Sequence, residues 1–384
     1  MTPEVPQLPF RLPPPKAGRV DLLVVAGEHS GDEHAARAVA ELRLKKPGIE
    51  ICALGGPNLA AAGAQLLHDL TATSVVGFIE VLKSYSFFKT LFNETLRWIA
   101  EYRPRAVCLV DYPGLNLRLA AALRERGLSV KGGGEIKLLY YISPQIWAWK
   151  AKRRFTMARD LDALAVIFPF EVECYQDTAL PVEFVGHPFL APDYAAPVAH
   201  DPTGPVLLLP GSRKQAVARI LPGLLGGLAN FDPTAPAVVL YPSETIRDVI
   251  MATSPPPNIQ LVPTGRVVNA RAVLTSSGTM SLHCALAGIP GAIAYRTNPI
   301  TYLLARWWVK LDYIGIANLL LKEPMYPEYI QSAATANALA AELHDCVQDS
   351  QRMTRTREQQ QRLRRLLDQP ARGTVADWLA GWLV

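Results

Sequence analysis

Short runs of consecutive apolar residues, each closed by a turn and followed by a helical pattern, recur along most of the chain. Asp21 to Ala26 is the first run; it ends at Gly27, and a helical pattern continues from Ser30 to about Leu44. The rhythm returns at Ile49 to Leu54 before Gly55-Gly56-Pro57, at Ala106 to Val110 before Asp111, at Leu138 to Ile142 before Ser143-Pro144, and at Ala163 to Ile167 before Phe168-Pro169. Runs rich in Val, Ile and Leu without alternation are strands covered on both faces, as in a parallel sheet wrapped by helices. A stretch near Phe184 to Gly186 closes this half, and the Pro-rich, aperiodic text after it predicts a linker over 191–205. The pattern then restarts with Val206 to Leu209 before Pro210-Gly211-Ser212-Arg213, Ala237 to Tyr241, Ile259 to Val262, Ala272 to Thr275 before Ser276-Ser277-Gly278-Thr279, and Gly291 to Tyr295. The prediction is an α/β protein of two Rossmann-like, doubly wound parallel-sheet domains, 19–190 and 206–370, facing across a cleft. A Pro-rich leader over 1–18 and a C-terminal helix over 371–384 complete it, and Gln351 to Arg365 reads as a solvated helix face.

The length of 384 residues fits two domains, and 49% hydrophobic with 19% charged residues excludes a disordered chain. No uninterrupted apolar run of about 18 residues predicts a spanning helix, so any membrane contact is expected to be peripheral. A net charge of +5 without basic blocks interleaved with aromatics argues against nucleic acid, leaving an anionic substrate or membrane face open. The five cysteines are scattered without a CxxC pair, which excludes a disulfide framework and a cysteine zinc site. The first residues, punctuated by Pro3, Pro6, Pro9, Pro13, Pro14 and Pro15, lack the apolar core of a signal peptide and read as an extended, mobile leader.

Two loops of the second half have the form of anion sites. In LLLPGSRKQ a strand ends in a small-residue turn before a helix, where backbone N–H groups and the Arg213 guanidinium suit a phosphate. In VLTSSGTMSL, Ser277, Gly278 and Thr279 open a second such helix. Each loop also reads as ordinary helix capping; both in one sheet favour a diphosphate. The GxGxxG and GxxxxGK(S/T) loops are absent, against a dinucleotide enzyme or a P-loop NTPase. In the first half Asp111 closes a strand, a place for a general base or for a residue that caps the turn at Tyr112-Pro113-Gly114. The polar cluster Gly27 to His34 holds His29 and His34, whose spacing diverges on a helix, so no metal site is assigned. Helix capping by Ser30 and Asp32, with Glu28 on substrate, is the preferred reading there. His187 and the Trp147-Ala148-Trp149 cluster read as structural.

In this order GGPNLAAAGAQLL, VVGFIEVL, VDYPGLNLRLA, YISPQIWAWK, IFPFEVECY, FVGHP, LLLPGSRK, SSGTMSLHCALAGIP, AYRTNPITYLLARWWVK, IANLL and MYPEYIQ resemble the lipid-A-disaccharide synthase family, from about Val24 to Gln331. The resemblance implies a metal-free, inverting GT-B glycosyltransferase without a cofactor. Its donor would be UDP-2,3-diacylglucosamine and its acceptor 2,3-diacylglucosamine 1-phosphate, giving a β-1,6 disaccharide 1-phosphate and UDP. It places Asp111 as the base with Asn116 nearby, Glu28 and Ser30 on the acceptor side, and Arg213 at the diphosphate. Ser277, Gly278 and Thr279 match the phosphate loop, and Asn318 and Gln331 match residues lining the donor site. The base would deprotonate the acceptor 6-hydroxyl, with leaving-group charge falling on Arg213 and the helix amides. It also implies the cytoplasmic face of the inner membrane and a C-terminal region that can exchange within a homodimer.

The chain departs from the family's pattern at three positions. His283 stands where the family usually has Glu, Ala216 follows the PGSR loop where Glu is common, and Gly114 replaces an Asp of the base loop. A neutral imidazole can accept one hydrogen bond from a ribose hydroxyl but lacks a carboxylate's two oxygens, so a reworked donor pocket is expected. Acylated substrates call for a membrane face, and the apolar crowd around Phe78, Leu82, Phe87 and Phe88, with Lys83 and Lys89, is the predicted contact. An interdomain or dimer contact is the alternative there, and Tyr302 to Trp308 is a weaker candidate. Rival functions are another GT-B UDP-sugar enzyme, including a UDP-N-acetylglucosamine epimerase, and a non-catalytic nucleotide-sugar or lipid-binding protein.

Overall fold

The computed structural model describes residues 10–73, 81–298 and 312–384, and the chain divides into two units, Met1–Pro188 with Pro370–Val384, and Phe189–Gln369. The first unit holds a sheet of β1 (Leu22–Ala26), β2 (Ile51–Gly55), β3 (Gln65–Asp69), β4 (Ala106–Val110), β5 (Lys137–Tyr141), β6 (Ala163–Val166) and β7 (Val182–Phe184). Its order is β3-β2-β1-β4-β5-β6-β7, and every pairing is parallel. Helices α1 (His29–Lys45), α2 (Pro57–Ala61), α3 (Leu70–Thr73), α4 (Val81–Tyr102), α5 (Pro113–Glu125) and α6 (Arg153–Asp160) form the crossovers. Every residue of β1, β2 and β4 is buried, which is why these strands read as unbroken apolar runs. The strand order reverses between β1 and β4, whose carboxyl ends are neighbours with Ala26 opposite Val110. Ligands of such sheets bind outside the strand ends at this reversal.

The second unit repeats the design. Its strands are β8 (Val198–His200), β9 (Val206–Leu209), β10 (Ala237–Tyr241), β11 (Ile259–Pro263), β12 (Val268–Ala270), β13 (Ala272–Thr275), β14 (Gly291–Tyr295) and β15 (Glu328–Ile330). The main sheet runs β11-β10-β9-β13-β14-β15 and reverses between β9 and β13, where Leu209 lies opposite Thr275. The helices are α7 (Lys214–Phe231), α8 (Glu244–Met251), α9 (Thr279–Leu286), α10 (Ile316–Leu321), α11 (Ala336–Gln348) and α12 (Ser350–Leu367).

Several expectations need correction. Residues 191–205 are part of the second unit: β8 pairs with β12, a three-residue strand that Pro-rich text conceals. Gln351 to Arg365 is not a solvated face throughout, because Arg352, Thr356, Gln359, Leu363 and Leu367 form a buried stripe at helical spacing on α12. There Arg352 meets Glu342 at 3.1 Å and donates to the carbonyls of Gly291 at 2.9 Å and Met325 at 3.1 Å. The stripe is polar where it begins, so a hydrophobic count misses it. Strand β3, an edge of mostly half-buried residues, and the short edge β15 also lack the doubly covered pattern.

The termini are also anchored differently from the expectation. Residues 10–18 are strapped to the first unit: the Leu12 N–H donates to Glu94 at 2.9 Å, and the carbonyls of Pro13 and Pro14 accept from Trp98 at 2.9 Å and Gln65 at 2.8 Å. The remainder of the expected leader, 1–9, lies outside the described residues. The C-terminal helix α13 (Val375–Trp382) returns to the first unit, where Lys45 meets Asp377 at 2.5 Å and Lys46 and Lys137 donate to the carbonyls of Ala380 and Trp382 at 2.7 Å.

Candidate active site

At the reversal of the first unit, β1 runs into Gly27 and Glu28 before α1, and β4 runs into Asp111 and Tyr112 before α5. Asp111 and Tyr112 both have φ 45°, a left-handed conformation that costs on the order of 1–3 kcal/mol for each non-glycine residue. Their surroundings hold that strain in place. The Asp111 carbonyl accepts from Tyr140 Oη at 2.6 Å and Asn116 Nδ2 at 2.8 Å, and its N–H donates to the Tyr141 carbonyl at 2.9 Å. The Tyr112 ring covers Gly27 so closely that a Cβ there would lie 2.2 Å from Tyr112 Cδ1, which only glycine allows. Burial pushes the Asp111 carboxyl up to about 6, the charge of Glu28 adds to the rise, and the Tyr112 N–H opposes it. An acid so tuned is ionised at neutral pH yet basic enough to take a proton.

A third acid, passed over in the sequence, stands in the same unit. Glu171, fully buried in the turn after β6, accepts from the Phe168 N–H and from Trp147 Nε1, both at 3.2 Å. Burial pushes its carboxyl up to about 8 against those two donors and the Ile167 N–H, and the Asp111 charge adds to the rise. Trp147 packs its edge on Phe168 at 6.2 Å and Phe170 at 5.3 Å, as the structural reading of that cluster expects. The signal that could have revealed Glu171 is its place in Phe168-Pro169-Phe170-Glu171, a carboxyl directly behind a strand and among aromatics.

At the reversal of the second unit, Gly211 has φ 110° between β9 and α7, and Arg213 is the exposed N-cap of α7. Strand β13 leads through Ser276, whose N–H donates to the Leu209 carbonyl at 2.8 Å, to Ser277 and to Gly278, the N-cap of α9. The two loops adjoin, since a Cβ on Gly211 would lie 3.3 Å from Ser276 Oγ. A guanidinium and the opening N–H groups of two helices at one sheet reversal form an arrangement suited to a diphosphate.

Several predicted site residues are engaged in hydrogen bonds within their own unit. Asn116 is fully buried and donates to the carbonyls of Asp111, Val110 at 3.1 Å and Val25 at 3.4 Å, tying the ends of β4 and β1 together. Asn318, also fully buried, exchanges hydrogen bonds with the Tyr326 backbone at 2.6 and 2.9 Å and donates to Glu328 at 2.8 Å. Gln331 bridges both backbone groups of Thr297, at 3.1 and 3.2 Å. His283 stacks on Phe189 with ring centroids 3.8 Å apart, and its Nε2 lies 3.3 Å from Tyr194 Oη. This contact engages one of the two ring nitrogens. Ser30 lies in the first turn of α1, whose N-cap is Glu28 without a side-chain cap. Asp32 instead reaches over to α2, accepting from the N–H groups of Gly56, Asn58 and Leu59 at 2.7, 3.0 and 3.3 Å.

Of the predicted membrane contacts, Phe78 and the side chain of Leu82 lie outside the described residues, as does Tyr302 to Trp308. Phe87 and Phe88 do not project freely. Phe87 sits among Phe10, His68 and Phe88, with centroids 5.7 to 6.2 Å away, and Phe88 lines a small apolar cavity with Val25, Leu54 and Leu70. A Cβ at Gly114 would meet nothing within 4 Å, so contact at that atom does not impose the departure.

A family model described as lipid-A-disaccharide synthetase matches residues 22–379. Lipid-A-disaccharide synthase 1 of Legionella pneumophila (strain Lens) is 37% identical over 344 residues, 85% of this chain and 87% of its own. Among solved structures, a putative UDP-N-acetylglucosamine 2-epimerase from Listeria monocytogenes aligns with TM-score 0.58 at 12% identity, over 94% of this chain and 95% of its own. The glycotransferase of kitacinnamycin aligns with TM-score 0.55 at 15% identity, over 95% of this chain and 100% of its own. At such identities the likeness is one of fold, and the fold is GT-B.

Proposed function

We propose, for a chain that belongs to the lipid-A-disaccharide synthetase family and is a glycosyltransferase of lipid A biosynthesis, a specific donor, acceptor and base. It transfers the 2,3-diacylglucosaminyl group of its UDP derivative to 2,3-diacylglucosamine 1-phosphate. Asp111 takes the proton of the acceptor 6-hydroxyl as that oxygen bonds to the anomeric carbon. The bond from that carbon to UDP breaks on the opposite face, inverting the centre and giving a β-1,6 linkage. The electron pair leaves with the diphosphate, whose charge Arg213 and the amides around Ser277, Gly278 and Thr279 stabilise. Glu28 and Ser30 serve the acceptor side.

The observation that carries this reading is a raised carboxyl at one sheet reversal and an arginine with two helix starts at the other. Purified protein with both lipid substrates is expected to release UDP in the presence of EDTA, and Asp111→Ala to stop release while UDP still binds. Release that needs added Mg²⁺, or that survives Asp111→Ala, sinks the mechanism.

Among the described residues no helix is long and apolar enough to cross a membrane. Both proposed substrates carry acyl chains, so the proposal includes peripheral work at the cytoplasmic face of the inner membrane. Flotation with anionic vesicles checks it, and protein left at the bottom of the gradient removes it. A homodimer is part of the same proposal, and a monomer mass in light scattering would discard it.

A further inference from the structure

Phe87 and Phe88 are half-buried against their own unit, whereas the loop after β5 and the start of α6 turn large side chains outward. Trp147 packs on Phe168 and Phe170, but Trp149 is 42% exposed and Phe155 49%, and no other Trp or Phe among the described residues is exposed. Between these two rings the chain carries Lys150, Lys152, Arg153 and Arg154. Lys150 Nζ lies 4.5 Å and Arg153 Cζ 5.6 Å from the centre of the Trp149 ring, and Arg154 Cζ lies 4.3 Å from that of Phe155. Lys150 has φ 54° and its carbonyl accepts from the Arg153 N–H at 2.9 Å, a tight turn that brings both cations onto one ring. The neighbouring acids are taken, Asp177 by Arg154 at 2.6 Å and Asp160 by Arg124 and Arg159, both at 2.7 Å. Lys150, Lys152 and Arg153 enter no ion pair among the described residues.

We propose that Trp149, Lys150, Lys152, Arg153 and Phe155 form the surface by which this protein docks on an anionic lipid bilayer. The proposal rests on the peripheral membrane work proposed above and names the residues that perform it. Exposed rings flanked by unpaired cations suit the headgroup layer, where the rings enter the interface and the long cationic side chains reach lipid phosphates. A cation already occupies a face of each ring, which disfavours the base stacking that single-stranded nucleic acid would need. The place also fits the chemistry. Tyr141 ends β5 and its carbonyl accepts from the Asp111 N–H at 2.9 Å, while Tyr140 Oη donates to the Asp111 carbonyl at 2.6 Å. The charges of Arg153 and Asp111 both reach the Tyr140 hydroxyl. A bilayer met here lies at the same end of the sheet as the proposed base, where an acceptor anchored by its acyl chains presents its 6-hydroxyl.

The test is flotation with phosphatidylcholine vesicles, with and without phosphatidylglycerol, for wild type, Lys150→Gln/Lys152→Gln and Trp149→Ser/Phe155→Ser. The four positions are exposed, so both variants should keep the wild-type Tm. Wild type should float with the anionic vesicles and come off as salt rises. The Gln pair should bind anionic vesicles about thirtyfold more weakly and lose most of the salt dependence. The Ser pair should bind about tenfold more weakly with the salt dependence kept. UDP release from substrates dispersed in neutral detergent micelles should match wild type in both variants, since Asp111 and the two loops of the second unit are untouched. Wild type left at the bottom of the gradient with both vesicles defeats the membrane reading itself, whereas wild type that floats beside variants that float equally well overturns this surface alone. A matching loss of turnover in neutral micelles assigns the residues to the acceptor, and binding of a single-stranded oligonucleotide that disappears in the same variants assigns them to nucleic acid; either result overturns the proposal.

Discussion

Both units bring two loops to the point where their strand order reverses, yet the two reversals carry opposite chemistry. In the first, β1 and β4 deliver Glu28 and Asp111, with strained left-handed backbone and a raised carboxyl. In the second, β9 and β13 deliver an exposed arginine, small residues and two helix starts. Topology therefore fixes where a ligand can sit, and residue type fixes what happens there. The proposed function gives the proton to Asp111 in the first unit and the leaving diphosphate to the cationic loops of the second.

The sharpest break of this contrast is Asp111→Ala, expected to cut turnover by roughly 10²–10⁴ with UDP affinity unchanged, measured by UDP release and calorimetry. Next is Arg213→Ala, expected to cost about 10²–10³ in kcat with the acid limb of the pH profile unmoved, because that limb belongs to the other unit. The limb itself is the third prediction. Asp111 works deprotonated, so kcat/KM should fall about tenfold per unit as pH drops below about 6, and a limb near 4 would show that burial does not tune it. The smallest effect is expected from His283→Ala. With its ring stacked on Phe189 and its Nε2 beside Tyr194, UDP affinity should change by less than about threefold. A tenfold loss would restore the ribose role.

The likeness in fold to an epimerase, at 12% identity, does not redirect this reading, because the family match over residues 22–379 separates chemistry that a shared fold leaves open. The position of Asp111, Arg213 and Ser277 to Thr279 at the two reversals was legible because each sits in the first residues after an apolar run, at the carboxyl end of a strand. Asn116, Asn318 and Gln331 were legible as polar residues in meaningful places, but their partners were not. Asn116 spends its amide on Val25, distant in sequence, and Asp32 caps a helix start at Gly56 rather than its own.

By itself the sequence determined the strand runs, the two-domain plan, the loops that close the central strands and the family. These depend on local pattern, since burial on both faces demands continuous apolar text and turns demand small residues. Only the tertiary structure decided what the polar side chains bond to. Those partners are supplied by remote segments, as when Trp147 meets Glu171, or Leu12 meets Glu94. The same holds for the chain's end, where α13 leaves the second unit to bind Lys45, Lys46 and Lys137 of the first, a pairing of charges and carbonyls that no local pattern encodes.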